Sequence, residues 1–119
     1  KYADEPARIV YQFMYMGWPD QGIPDHKGFL NLVLRVRQTN VSQQPIIVHC
    51  SAGMGRTGTF CQVHAQFKKI EHDARQNPGE VPNVDIASGL IEQRKCRMGL
   101  VQNSLQYRFI HEALAYTLK

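Results

Sequence analysis

Cysteine is scarce in this chain: Cys50, Cys61 and Cys96 are an odd number without regular spacing. That excludes a fully paired disulfide framework and points to a reducing compartment. Long apolar runs are missing too. Nothing approaches the roughly 20 consecutive apolar residues of a membrane-spanning helix, and the start, Lys1 to Arg8, has no apolar leader segment. The segment is therefore expected to make no membrane contact and to carry no export signal of its own. No run of one charge sign stands out. The 14 Lys and Arg residues against 10 Asp and Glu leave a net charge of +4, but they are scattered and give no argument for nucleic acid. The histidines at 26, 49, 64, 72 and 111 show no zinc spacing with the cysteines, so no metal is expected. Internal repeats and low-complexity tracts are also missing.

What is present describes one folded unit. A chain of 119 residues, 43% hydrophobic and 20% charged, has the composition of a soluble globular protein and room for a single core. Ile9 to Met16 is rich in β-branched, aromatic and large apolar residues and reads as a strand buried on both faces. Gly17, Pro19 and Pro24 then break it into a loop. Asp25 is expected to cap a helix running to about Gln38, with Phe29, Leu32, Val33 and Val36 on its apolar side. After Pro45, the short run Ile46, Ile47, Val48 reads as a central strand. Phe60, Val63, Phe67 and Ile70 recur at helical spacing beyond three glycines. Asn77-Pro78-Gly79 is a turn. Asn83 is expected to cap a third helix with Val84, Ala87 and Ile91 inward, and a last helix from about Asn103 to bury Leu105, Phe109, Ala113 and Leu114. Strands separated by helices give an α/β arrangement of βαβ type.

The informative stretch is Val48-His49-Cys50-Ser51-Ala52-Gly53-Met54-Gly55-Arg56-Thr57-Gly58. A loop running from a strand end into a helix N-terminus turns successive backbone N–H groups toward one point, which suits a phosphoryl dianion. Ser51, Ala52, Gly53, Met54 and Gly55 are the expected oxyanion cradle, with the glycines letting the backbone approach closely. Arg56, six positions after Cys50, can return at the far end of the loop and grip two oxygens with its planar fork. The same positive field favours a thiolate at Cys50, with its pKa expected below the free value of about 8.5, and makes it a nucleophile. It is not a Walker loop, which needs Lys followed by Ser or Thr. Cys61 and Cys96 read as ordinary thiols. Arg94, Lys95 and Arg97 are either a solvated cluster or the rim of an anion site.

The string His49-Cys50, five residues, Arg56-Thr57 matches the signature of the cysteine-dependent protein tyrosine phosphatases. The longer run to Gly58 resembles the tyrosine-specific branch. Trp18-Pro19-Asp20-x-Gly22-x-Pro24 resembles that family's mobile acid loop, and Val101-Gln102-Asn103-Ser104-Leu105-Gln106 its glutamine loop. The resemblance implies a phosphatase-type fold, a central mixed sheet flanked by helices with the signature loop between a central strand and a helix. It also implies that residues 1–119 are the C-terminal portion of a longer catalytic domain, with the N-terminal half as a partner. By the same resemblance Asp20 is the general acid, Gln102 positions the hydrolytic water with Gln106, Thr57 donates to the Cys50 sulfur, and His49 holds the loop and tunes the thiol. Phosphotyrosine proteins are the implied substrates, no cofactor is needed, and the setting is cytoplasmic or the cytoplasmic part of a receptor-like protein. Arg94 and Arg97 fall where the family has basic residues and are read as supporting the anion site. Asn103, where threonine is usual, and His64, where aspartate is common, depart from the pattern. The competing readings are a phosphotyrosine-binding module without turnover and, more remotely, a zinc or redox protein.

Overall fold

Four helices form where the apolar spacing and capping residues place them. In the computed structural model they are α1 (His26–Thr39), α2 (Gly55–Gln76), α3 (Ile86–Cys96) and α4 (Ser104–Thr117). The structure describes residues 4–118; Lys1–Ala3, which begin the segment read above as lacking a leader, and Lys119 lie outside it. Among the described residues no helix is long and apolar enough to cross a membrane.

Asp25 caps α1 as expected, its carboxylate accepting from the Gly28 amide at 2.8 Å. Phe29, Val33 and Val36 are buried on its inner face, with Leu32 only partly buried against them. The apolar stripe of α2 buries Phe60, Val63, Phe67 and Ile70. Around Phe29 the aromatic rings meet edge to face: Trp18 at 5.5 Å, Phe109 at 5.0 Å and Phe60 at 6.1 Å between centroids. Such pairs add to their burial because ring edges and faces carry opposite partial charge. This cluster joins α1, α2, α4 and the acid loop into one core.

Three expectations change. Asn83 does not cap α3. Asp85 does, accepting from the Ser88 amide at 3.0 Å. Ile86 and Leu90 are the residues of α3 that face the core; Val84 packs partly against it from ahead of the helix, while Ala87 is exposed and Ile91 is 61% exposed. Leu105, in the first turn of α4, likewise points outward, and Gln106 takes the inner position beside Phe109, Ala113 and Leu114. Finally, no strand forms among the described residues. Ile9 and Ile47, read as buried strand residues, are 81% and 91% exposed. A strand exists only by hydrogen bonds to a neighbour; the runs 9–16 and 46–48 form none with each other, and most of their apolar side chains are exposed, with Tyr15 and Val48 partly buried against the core. The α/β reading is thus realised only in its helical layer.

Glutamines bind α3 to α2. Gln62 and Gln66 are buried. Gln66 Nε2 donates to Gln62 Oε1 at 2.8 Å, Gln62 Nε2 to Gln93 Oε1 at 2.5 Å, and Gln93 Nε2 to the Gly58 carbonyl at 3.0 Å. Gly58 has no room for a side chain: a Cβ there would stand 2.5 Å from the Val101 nitrogen. That close approach brings the turn before α4 against the first turn of α2.

Candidate active site

The middle of the signature loop is tied by Arg97, and its far end by the Met54 carbonyl, which accepts from the Gly58 and Val101 amides. Arg97 Nε donates to the Gly53 carbonyl at 2.9 Å, and Arg97 Nη2 to the Ala52 carbonyl at 3.2 Å. Across a planar trans peptide the N–H points opposite to the C=O. Fixing the carbonyls of 52 and 53 on Arg97 therefore turns the amides of Gly53 and Met54 to the other side of the loop. Cys50 lies there. Gly53 takes φ 71, a left-handed conformation that favours glycine, and its N–H donates to Cys50 Sγ at 3.3 Å. Thr57, from the first turn of α2, donates its hydroxyl to the same sulfur at 3.0 Å.

Partial burial acts to raise the Cys50 thiol pKa. It is outweighed by hydrogen bonds from the Thr57 hydroxyl and from the backbone of Thr57, Gly53 and Met54, which bring it down from the ordinary 9.0 to about 7. Donors that converge on an anion favour the anion. Cys61 behaves oppositely: burial within α2 pushes its thiol up.

Arg56 reaches from α2 toward the acid loop. Its Nη1 donates to the Trp18 carbonyl at 3.2 Å, and its Nη2 stands 3.3 Å from Ser51 Oγ and 3.4 Å from Asp20 Oδ1. Its Nε is buried and makes no hydrogen bond among the described residues. Asp20 sits in a tight turn closed by the Gly22 amide to the Pro19 carbonyl, 3.0 Å, and by Trp18 Nε1 to the Gly22 carbonyl, 2.8 Å. Its side chain is 68% exposed at the rim.

The glutamine loop closes the third side. Gln106 is fully buried; its Oε1 accepts from the Gln102 amide at 2.8 Å and its Nε2 reaches the Gly22 carbonyl at 3.3 Å. Gln102 lies with its side-chain amide over Gly55, where a Cβ would have no space. Arg94 holds the preceding turn by donating to the Leu100 and Val101 carbonyls at 2.8 and 2.6 Å.

The structure thus gathers Cys50, Ser51, Ala52, Gly53, Gly55, Arg56, Thr57, Asp20, Gln102 and Gln106 around one loop. Met54 is partly buried and its carbonyl accepts from the Gly58 and Val101 amides at 2.9 and 3.0 Å. His49 is exposed, and its ring hydrogen-bonds nothing among the described residues. Arg94 and Arg97 look alike in the local sequence. Only Arg97 touches the loop, and a basic residue 44 positions from its partner carries no local signal. The arrangement can hold a dianion by amide dipoles and one guanidinium, with the Cys50 sulfur beneath and the Asp20 carboxyl group at the mouth.

Comparison with known proteins agrees with this geometry. Residues 1–116 match the family model described as protein-tyrosine phosphatase. A putative receptor-type tyrosine-protein phosphatase, mosPTP-1 of Aedes aegypti, is 41% identical over 116 residues, 96% of this chain and 8% of that protein. Tyrosine-protein phosphatase 2 of Dictyostelium discoideum is 40% identical over 116 residues, 94% of this chain and 29% of the relative. Among solved structures, the Trypanosoma cruzi protein tyrosine phosphatase TcPTP1 superposes with a TM-score of 0.77 at 34% identity, covering 99% of this chain and 38% of that one. The chain therefore spans less than two fifths of the length of each of these relatives. By the family model over residues 1–116 and these identities, the chain belongs to the protein-tyrosine phosphatase family.

Proposed function

We propose that residues 1–119 are the C-terminal portion of a catalytic domain that hydrolyses phosphotyrosine in proteins through a phosphocysteine intermediate. The single observation that carries this reading is the Cys50 sulfur, held by Thr57 and Gly53 at 3.0 and 3.3 Å with its pKa lowered to about 7. Cys50 Sγ attacks phosphorus and forms the S–P bond as the P–O bond to tyrosine breaks. Asp20 gives its proton to the departing phenolic oxygen. The loop amides and Arg56 neutralise the charge spread over the three equatorial oxygens. In the second step Gln102, with Gln106, orients a water; Asp20 takes its proton, the water oxygen bonds to phosphorus, and Cys50 leaves as thiolate. Thr57 stabilises that leaving sulfur.

The exposed apolar runs 9–16 and 46–48 support a further part of the reading: they are strands of the mixed sheet, covered by the N-terminal half of the domain. A carboxylate from that half would satisfy the buried Arg56 Nε. The proposed setting is the cytoplasm, or the cytoplasmic part of a receptor-like protein.

The test is hydrolysis of a phosphotyrosine peptide by the chain joined with its complementing half, compared with Cys50→Ser. Turnover that vanishes in the variant is expected. Tight binding of the peptide by the unaltered protein without turnover would replace this reading with the phosphotyrosine-binding module.

A further inference from the structure

Asn103 uses both ends of its side-chain amide. Its Oδ1 accepts from the Gln106 backbone amide at 3.0 Å and caps α4. Its Nδ2 crosses 82 residues of sequence to donate to the Gln21 carbonyl at 2.8 Å. Gln21 directly follows Asp20 and has φ 58, a left-handed conformation that costs a residue with a Cβ free energy and persists only where its surroundings hold it. The next carbonyl, that of Gly22, takes Gln106 Nε2 at 3.3 Å. Two side chains from the start of α4 thus hold consecutive carbonyls of the acid loop, on the strained side of the general acid.

We propose that Asn103 is a positioning residue, a clasp that holds the acid loop over the signature loop and couples it to the glutamine loop. This rests on the reading of Asp20 as the acid. Moving the loop outward would break the Asn103–Gln21 bond and let Gln21 relax, so the clasp offsets the strain that presents Asp20 beside Arg56. Because Asn103 adjoins Gln102, one anchor supports both the acid of the first step and the glutamine that orients water in the second.

Asn103→Ser and Asn103→Asp separate clasp from cap. Both keep an oxygen for the Gln106 amide; aspartate has no donor for the Gln21 carbonyl, and the serine hydroxyl is one atom too short to replace Nδ2 there. Trp18 is the one tryptophan in residues 1–119 and its indole bonds within the acid loop, so fluorotryptophan confined to this half of the complemented protein reads the loop directly, without turnover. Losing one net hydrogen bond should move the closed-to-open ratio about fivefold toward open. The signature is a displaced or exchange-broadened Trp18 resonance with far-ultraviolet circular dichroism unchanged. Asn103→Asp should displace it further, since a carboxylate faces the Gln21 carbonyl, while its charge at the α4 N-terminus raises thermal stability. A purely structural role would not move loop and stability in opposite directions. Trp18 resonances superimposing on the parent's in both variants would overturn the proposal, as would loss of helix in both despite the retained cap. In the active enzyme, Asn103→Ser should lower kcat about fivefold for aryl phosphates with poor leaving groups, with KM little changed. A parent without turnover would count against the phosphatase reading and leave the fluorine result standing; full turnover with an unmoved fluorine signal would sink the clasp alone.

Discussion

Replacing Thr57 by Val removes one donor to the Cys50 sulfur and almost nothing else. Thr57 is buried in the first turn of α2, and valine has nearly its shape. Its hydroxyl reaches Sγ at 3.0 Å and is the first of the contacts that pull the thiol pKa down. A hydrogen bond to a charged group is worth about 1.5–3 kcal/mol, and about 1.4 kcal/mol is a tenfold change in the acid dissociation constant. The backbone donors remain, so the lower figure applies. With the parent half ionised at about pH 7, the variant should be ionised to roughly a tenth, and iodoacetamide should label Cys50 about fivefold more slowly. The sign follows from the lowered pKa: thiolate is lost as pH falls through about 7, so the two proteins differ most near neutrality and converge in alkali, where both are ionised. Peptide-resolved mass spectrometry across pH gives both curves, with Cys61, whose thiol burial pushes up, as the internal slow control. Identical midpoints for parent and variant, or a parent midpoint at the ordinary thiol value, would show that Thr57 does not hold a thiolate at Cys50.

Asp20→Ala should lower kcat for phenyl phosphates by about a hundredfold or more when the leaving group is poor, and far less when it is good, because only a poor leaving group needs the proton; vanadate affinity should stay within a few-fold, and its collapse would assign Asp20 to binding. Arg97→Met frees the carbonyls of Ala52 and Gly53, and the loop amides should lose their common direction. Vanadate should then bind roughly tenfold more weakly with thermal stability little altered, since the side chain is exposed; unchanged affinity would show that the loop holds its shape without this brace.

Local features were legible in the sequence, and features that depend on distant partners were not. The signature loop, the Asp25 cap and the stripes of α1 and α2 are set by residues within a few turns of one another. The third helix shows how little separates right from wrong: Asn83 and Asp85 are both competent caps, and Ser88 decides for Asp85 by giving it two bonds, from amide and hydroxyl. Gln62, Gln66 and Gln93 look like surface residues on a helix, yet they bury one another's amides, a choice made only once α3 lies on α2. The runs 9–16 and 46–48 were recognised as apolar, but strand pairing is a property of two segments, and neither finds its partner among the described residues. Arg97 reads as supporting the anion site and Asn103 as the start of the last helix, but their partners lie 44 and 82 residues away, where nothing local marks them.

Every step of the proposed reaction depends on phosphate passing through the Cys50 sulfur. The most direct measurement of that passage is a millisecond acid quench of the complemented Gln102→Ala protein turning over a phosphotyrosine peptide, followed by mass spectrometry of the Cys50 peptide. A single phosphoryl group on Cys50, accumulating because the water is poorly oriented, is the predicted result. Continued turnover with no phosphoryl group on Cys50 would contradict it.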